Sequence, residues 1–349
     1  MVIFDGVVGH ANVLEQLSDE LSSPAHAYLF IGPSNVGKAI VARRFAAALL
    51  CGEHDDCHRR AVAGLHPDLT IVEPEGRASI TVDQSRSVVA LASRSPLEAE
   101  RRVFLFEEGG MMNDEAANAL LKTLEEPVGG AVFVIVADSE FDLPETVASR
   151  CRTFVFGRVG ETEVVEGLVA IGVAQNQAEQ AARIAGGRPG LALALATQPE
   201  VAAFRHTWLS VPLRVSAHPG NAFLLADEAM AAAEPLLVAL KERQRVHAEA
   251  ETGGKALSDR QERELKRATD ALHQTGLEIL ASFYRDAAAA QFGVPVRNSD
   301  VPVGALAAVP SVVAVAHAAR VMDTIDALRA NQRPHLAFAT LFASLGADA

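Results

Sequence analysis

The sequence predicts an α/β module on a parallel β-sheet, followed by an all-α remainder. Three observations predict it. Residues 1 to about 158 alternate short apolar runs with amphipathic stretches, the pattern of strands joined by crossover helices. The segment Gly32-Pro33-Ser34-Asn35-Val36-Gly37-Lys38-Ala39 follows one such run and departs from the phosphate-loop pattern G-x-x-x-x-G-K-[ST] only at its last place. From about residue 159 the strand signal stops, and alanine- and leucine-rich segments take over.

In chain order, Ala27–Ile31 is a five-residue apolar run and reads as a buried strand. After Lys38, the residues Ile40, Val41, Phe45, Leu49 and Leu50 recur at roughly helical spacing until Gly52, a stop signal. Strand, glycine loop and helix together are the context that the phosphate loop requires. Further strands are expected at 69–72, 103–106, 132–137 and 152–156, with helices at 83–93 and 113–126. In the second helix Asn113 caps the N-terminus, Asp114 and Glu115 favour its positive end, and Ala117, Leu120, Leu121 and Leu124 share one face. Three short helices follow at 161–171, 175–185 and 191–197, separated by Gly172 and by Gly186-Gly187-Arg188-Pro189-Gly190. A looser stretch at 210–220 leads into the last, helical segment. Its charged run, 241–267, is interrupted by Gly253-Gly254 and reads as a solvated helical hairpin or a flexible excursion.

Composition narrows the function classes. The 349 residues suffice for two or three domains. No apolar run reaches the eighteen residues of a membrane span, and Met1 to Gly6 carry neither a basic flank nor a cleavable apolar segment. Three cysteines (Cys51, Cys57 and Cys151) suit a reducing cytoplasm. A net charge of −13 argues against a protein that grips nucleic acid by itself, because neutralising phosphates needs a basic face.

The phosphate loop carries the sharpest chemistry. Gly32 and Gly37 allow backbone N–H groups to cradle phosphate, and Lys38 reaches the terminal phosphates. Ala39 stands where a hydroxyl would ligate Mg²⁺. The run 103–106 ends in Glu107 and Glu108, where a hydrolytic scaffold places a metal-holding aspartate. Glu107 takes that place with a longer side chain, and Glu108 is placed to orient water. Mg²⁺ demands near-octahedral oxygen geometry, so a displaced carboxylate and a missing hydroxyl both weaken it. The expectation is a site that holds ATP or ADP without efficient hydrolysis, its Mg²⁺ weak or absent, or one that holds no nucleotide.

The stretch from Asn113 through Leu120-Leu121-Lys122-Thr123-Leu124-Glu125-Glu126-Pro127 resembles the segment after the acidic strand in bacterial clamp-loader AAA+ subunits. So do His26-Ala27-Tyr28-Leu29-Phe30, His66-Pro67-Asp68-Leu69, Leu143-Pro144 and Ser149-Arg150-Cys151. The faults in the metal site, with Ser282-Phe283-Tyr284-Arg285-Asp286 and Asn331-Gln332-Arg333-Pro334-His335-Leu336, are similar to the delta-prime family of bacterial DNA polymerase III. The resemblance covers about the first 200 residues well and the remainder only at these islands.

The resemblance implies an AAA+ module over 1–158, a small helical lid over 159–205 and a helical collar for oligomerisation over 206–349. It implies a cytoplasmic hetero-oligomer with motor and delta-type subunits that helps load a sliding clamp on primed DNA. It also implies that Arg150 reaches across a subunit boundary as an arginine finger for a neighbour's ATP. Guanidinium suits that task, being permanently charged, planar and able to contact two phosphate oxygens. Cys151 is expected to be a small buried hydrophobe. Arg188 falls where such lids place a phosphate-sensing arginine, with a solvated loop arginine as the alternative. Asp138 lies near a water-sensing position, with equal claim to being a helix cap or loop acid. Four cysteines bind zinc in this interval of the family; here Cys51 and Cys57, with His54 and His58, offer a Cys₂His₂ set, the alternative being a reduced loop without metal. The competing function is an active AAA+ ATPase resembling the motor subunit, with a water-completed Mg²⁺ shell.

Overall fold

The computed structural model describes residues 3–52, 54–74, 79–126, 130–238, 241, 255–330 and 332–347. Pro127, Asn331 and residues 242–254 of the charged run lie outside the described residues. The chain divides into two compact units, Met1–Leu193 and Ala194–Ala349.

The first unit runs α1 (Ala11–Glu20), β1 (Ala27–Ile31), α2 (Lys38–Cys51), α3 (Asp55–Val62), β2 (Leu69–Ile71), α4 (Val82–Ala92) and β3 (Arg102–Phe106). It continues through α5 (Asp114–Glu125), β4 (Ala131–Val136), α6 (Glu145–Ala148), β5 (Arg152–Val155), α7 (Glu161–Ala170) and α8 (Gln175–Ala185), and α9 (Pro189–Thr197) follows. All five strands are parallel, in the order β2-β3-β4-β1-β5. The expected α/β class holds: a parallel-sheet module that carries the phosphate loop between β1 and α2 is joined to a helical remainder.

Burial explains why the strands read as unbroken apolar runs. Side chains alternate across a strand, and helices cover both faces of this sheet. Tyr28 and Phe30 of β1, Val103 and Leu105 of β3, and Val132, Val134 and Val136 of β4 share one core with α2. Leu29, Phe104, Phe106, Phe133 and Ile135 point the other way and pack with α4 and α5. Every residue of β3 and β4 is buried, so neither face tolerates the polar alternation of a half-solvated sheet.

Helix ends follow local chemistry. Asn113 Oδ1 accepts the Ala116 N–H at 2.8 Å and caps α5, as expected. Thr81 and Gln84 close α4 with a reciprocal capping box. Besides the single turn α6, two helices escape the sequence patterns. The first, α1, starts from His10 in the left-handed region. The second, α3, is Asp-Asp-Cys-His-Arg-Arg-Ala-Val, too polar and too short to show an apolar stripe.

The second unit is helical: α10 (Pro199–Ser210), α11 (Pro219–Ala231), α12 (Lys255–Ala290), α13 (Val303–Ala307), α14 (Ser311–Arg329) and α15 (Pro334–Gly346). Its core gathers Trp208, Phe283, Tyr284, Phe338 and Phe342. Gly276 lets α12 approach the indole: a Cβ there would stand 2.0 Å from Trp208 Cε2. Residues 255–267 of the charged run belong to the 36-residue helix α12. The Ser282–Asp286 island is structural. Phe283 and Tyr284 are buried, and the Asp286 carboxylate accepts the N–H groups of Arg297 and Asn298 at 3.0 and 2.7 Å. Among the described residues no helix is long and apolar enough to cross a membrane.

Candidate functional site

The phosphate loop sits between β1 and α2. Gly32 has φ 146°, and a Cβ there would lie 2.0 Å from the Phe156 carbonyl oxygen, so only glycine fits. Gly37, at φ 110°, begins α2. The Val36 carbonyl is bonded by His10 Nε2 at 2.9 Å, and the Asn35 carbonyl accepts the Gly190 N–H of α9 at 3.2 Å.

Lys38 is buried, 7% exposed. Its ammonium donates to the Gly32 carbonyl, to the Pro33 carbonyl at 2.8 Å and to Asp138 Oδ1 at 2.9 Å. Asp138 Oδ2 accepts from Ser34 Oγ at 2.8 Å. Asp138, a candidate water sensor or plain loop acid by sequence, is therefore a partner of the loop's cation.

Glu107 follows β3, and its carboxylate is bridged by Arg43 of α2: Nη2 donates to Oε2 at 2.8 Å, and Nε donates to Oε1. Ala39 lies one residue into α2 and offers a methyl group. Glu108 begins the turn after β3, its carbonyl accepting the Met111 N–H at 2.9 Å. The structure brings Gly32, Gly37 and Lys38 together at one end of the sheet. Sequence reasoning missed Arg43, whose only signal is a cation on the first turns of α2.

Arg150 follows α6 and is about one-third exposed, 32%. Its Nε donates to Glu125 Oε1 at 2.8 Å and Nη2 donates to the same oxygen, while Nη1 donates to the Thr146 carbonyl at 2.7 Å. The guanidinium thus rests against the last turn of α5 at the surface of its unit. Cys151 donates to the Val147 carbonyl at 3.3 Å, and burial pushes its thiol up to about 12, the behaviour of a hydrophobe and not of a nucleophile.

Arg188 is buried, not solvated. It is 7% exposed, and its Nε donates to the Ala185 carbonyl at 3.1 Å. Burial and the neighbouring Arg158 lower its pKa to about 10.

The cysteine interval differs from the expected set. Cys51 and Cys57 are joined as a disulfide between α2 and α3. The bond leaves neither thiolate that a zinc site needs and replaces the expected reduced loop. The histidine beside the two sulfurs is His66, all three atoms lying within 4.8 Å of one another; His54 and His58 are not in that group. His58 is buried, its Nε2 makes no hydrogen bond among the described residues, and burial lowers its pKa, with Arg44 adding to the effect.

The His-Pro-Asp turn is a structural clip. Asp68, fully buried, accepts the N–H groups of Leu97, Glu98 and Ala99 at 2.7, 2.7 and 3.0 Å, and Arg102 Nη2 at 3.2 Å. Burial alone would raise its pKa. The three backbone donors and Arg102 outweigh it and hold the carboxyl below the usual carboxylate range.

The profile of the family described as DNA polymerase III, delta subunit, matches residues 9–159. The DNA polymerase III subunit delta' of Pseudomonas aeruginosa is 42% identical over 137 residues, 36% of this chain and 42% of that protein. The DNA polymerase III subunit tau of Bacillus subtilis is 32% identical over 173 residues, 46% of this chain and 30% of that protein. The match thus spans less than half the length of these relatives. A solved DNA polymerase III gamma subunit-related protein of Thermotoga maritima is 17% identical, covering 95% of this chain and 98% of that one at a TM-score of 0.41.

Proposed function

We infer, from the match of residues 9–159 to the family described as DNA polymerase III, delta subunit, that this chain is a clamp-loader subunit of the delta-prime type. In this reading it hydrolyses no nucleotide itself and lends Arg150 to a neighbour that does. The supporting observation is its own metal corner. Ala39 supplies no hydroxyl, and the Glu107 carboxylate already holds Arg43. An Mg²⁺ ion asks for near-octahedral oxygen ligands. A methyl group and an engaged carboxylate do not fit it.

Arg150 supplies the other half of the reading. Its charge persists at every working pH, and its N–H groups lie in one plane. At a neighbour's nucleotide it exchanges the Glu125 carboxylate for phosphate oxygens and offsets the negative charge that grows on the transferred phosphoryl group. An arginine supplied in trans typically contributes ~10³–10⁵ in rate. The partners in this reading are motor and delta-type subunits in the cytoplasm, with the sliding clamp and primed DNA met through the assembly. A net charge of −13 suits DNA contact through partners and not alone.

Reconstitution of the assembly with Arg150→Ala and Arg150→Lys tests this. The expected result is intact assembly with clamp-loading ATP turnover lowered by about 10²-fold or more in both variants. Unchanged turnover rejects the finger. Sustained Mg²⁺-dependent turnover by the purified chain, abolished by Lys38→Ala, rejects the non-hydrolysing reading.

A further inference from the structure

We propose that Asp138 is a built-in counter-anion that occupies Lys38 and keeps nucleotide phosphate off the loop. The proposal deepens the reading of a silent site and rests on it for the ligand class, a nucleoside di- or triphosphate.

Chain topology creates the contact. β4 pairs with β1, Val136 standing opposite Phe30, so the residue two places beyond β4 arrives at the start of the phosphate loop. Asp138 then uses each of its three oxygens on that loop. Its carbonyl accepts the Gly32 N–H at 3.2 Å, Oδ1 accepts from Lys38 at 2.9 Å, and Oδ2 accepts from Ser34 Oγ at 2.8 Å.

Lysine has three donors and no acceptor. Those of Lys38 go to the Gly32 carbonyl, the Pro33 carbonyl and Asp138. A phosphate that is to be held by this ammonium must displace the carboxylate, yet Asp138 stays beside it, tethered through Gly32 and Ser34. Two anions then share one cation whose side chain is 7% exposed, the Asp138 side chain being 46% exposed, and like charges at such range repel, less where water reaches them. A neutral amide of the same size at 138 would have an N–H to give to phosphate, where the carboxylate has only acceptors.

Two functions therefore separate by residue. Ala39 and the Arg43–Glu107 pair govern the metal, whereas Asp138 governs the anion. The missing hydroxyl alone does not keep a nucleotide out; the carboxylate does.

Titration of the full chain with fluorescent N-methylanthraniloyl ADP and ATP, with Mg²⁺ and with EDTA, tests the assignment. Asp138→Asn is expected to bind at least about tenfold tighter than the parent chain. The gain should survive EDTA and vanish when Lys38→Ala is added. Ser34→Ala, which loosens the carboxylate without removing it, is expected to shift affinity in the same direction by less. It carries the test if Asp138→Asn does not fold. Equal affinity in the parent chain and the Asp138 variant overturns the proposal, as does ADP or ATP retained by the purified parent chain in native mass spectrometry. Neither outcome touches the Arg150 experiment. Conversely, Mg²⁺-dependent hydrolysis by Asp138→Asn would reject the account of the metal corner, Ala39 with the Arg43–Glu107 pair, and leave the counter-anion standing.

Discussion

Arg43 and Glu107, 64 positions apart in the chain, meet as a two-pronged ion pair in which Nη2 reaches Oε2 at 2.8 Å and Nε reaches Oε1. With Glu107 only 17% exposed, the guanidinium is its main compensation for lost water. Arg43→Ala is expected to lower stability by about 1–2 kcal/mol, read as a shift in the urea midpoint. In the Asp138→Asn background, Arg43→Ala combined with Ala39→Ser should make nucleotide affinity respond to Mg²⁺. Each change alone should not, because the ion needs both oxygens. Affinity that ignores Mg²⁺ in the combined variant would refute this account of the metal corner.

Asp68 should set the acid limb of stability. Its pKa in the folded state lies below the unfolded value of about 3.9. The stabilisation is therefore complete above that value and is lost as pH falls through the folded pKa. Asp68→Asn keeps the shape but replaces one acceptor oxygen with donors facing backbone N–H groups. The expected cost near neutrality is about 2–4 kcal/mol, with a shallower loss of stability below pH ~4. Urea melts across that range report both.

His273 acts in a higher window. It is 3% exposed, its ring meets Phe338 edge-on at 5.4 Å, and burial lowers its pKa against a smaller opposite pull from Asp270. The unfolded chain takes up a proton first, near pH 6.5, so stability should fall on acidification below that value, by up to ~1.4 kcal/mol per pH unit for the group. His273→Leu should flatten the slope of urea midpoint against pH between 7.5 and 5.5. His58, lowered by burial in the same direction, supplies part of what slope remains.

Gly276 is a packing requirement. With a Cβ forced to 2.0 Å from Trp208, Gly276→Ala is expected to destabilise the second unit by about 2 kcal/mol or more. Trp208 is the sole tryptophan, so intrinsic fluorescence reads the displaced ring directly. An unchanged emission maximum and midpoint would contradict the contact.

The central strands were legible because burial on both faces leaves them almost no polar positions: Tyr28 to Ile31, Val103 to Phe106 and Val132 to Val136 announce themselves as runs. The phosphate loop was legible because its backbone requires Gly32 and Gly37. What closes the loop was not. The contacts of Asp138 with Lys38 and of Arg43 with Glu107 join residues 100 and 64 positions apart, and local pattern carries no trace of them. His66 beside Cys51 and Cys57 escaped for the same reason, its partners being brought in by the α2–α3 turn. Asp68 belonged to a recognisable triplet, but its job of gathering three N–H groups at 97–99 exists only in three dimensions.

The alternation along β4 has a consequence for how this gene can drift. Val132, Val134 and Val136 belong to one core, Phe133 and Ile135 to the other, so adding or deleting a single codon inside the strand would transpose the two sets. Phenylalanine would be driven against α2 while slim valines left hollows over α5, two opposite packing faults from one slip. Length changes in descendants should therefore accumulate in the connections, and β4 should vary only by exchanges that keep bulk on its own side.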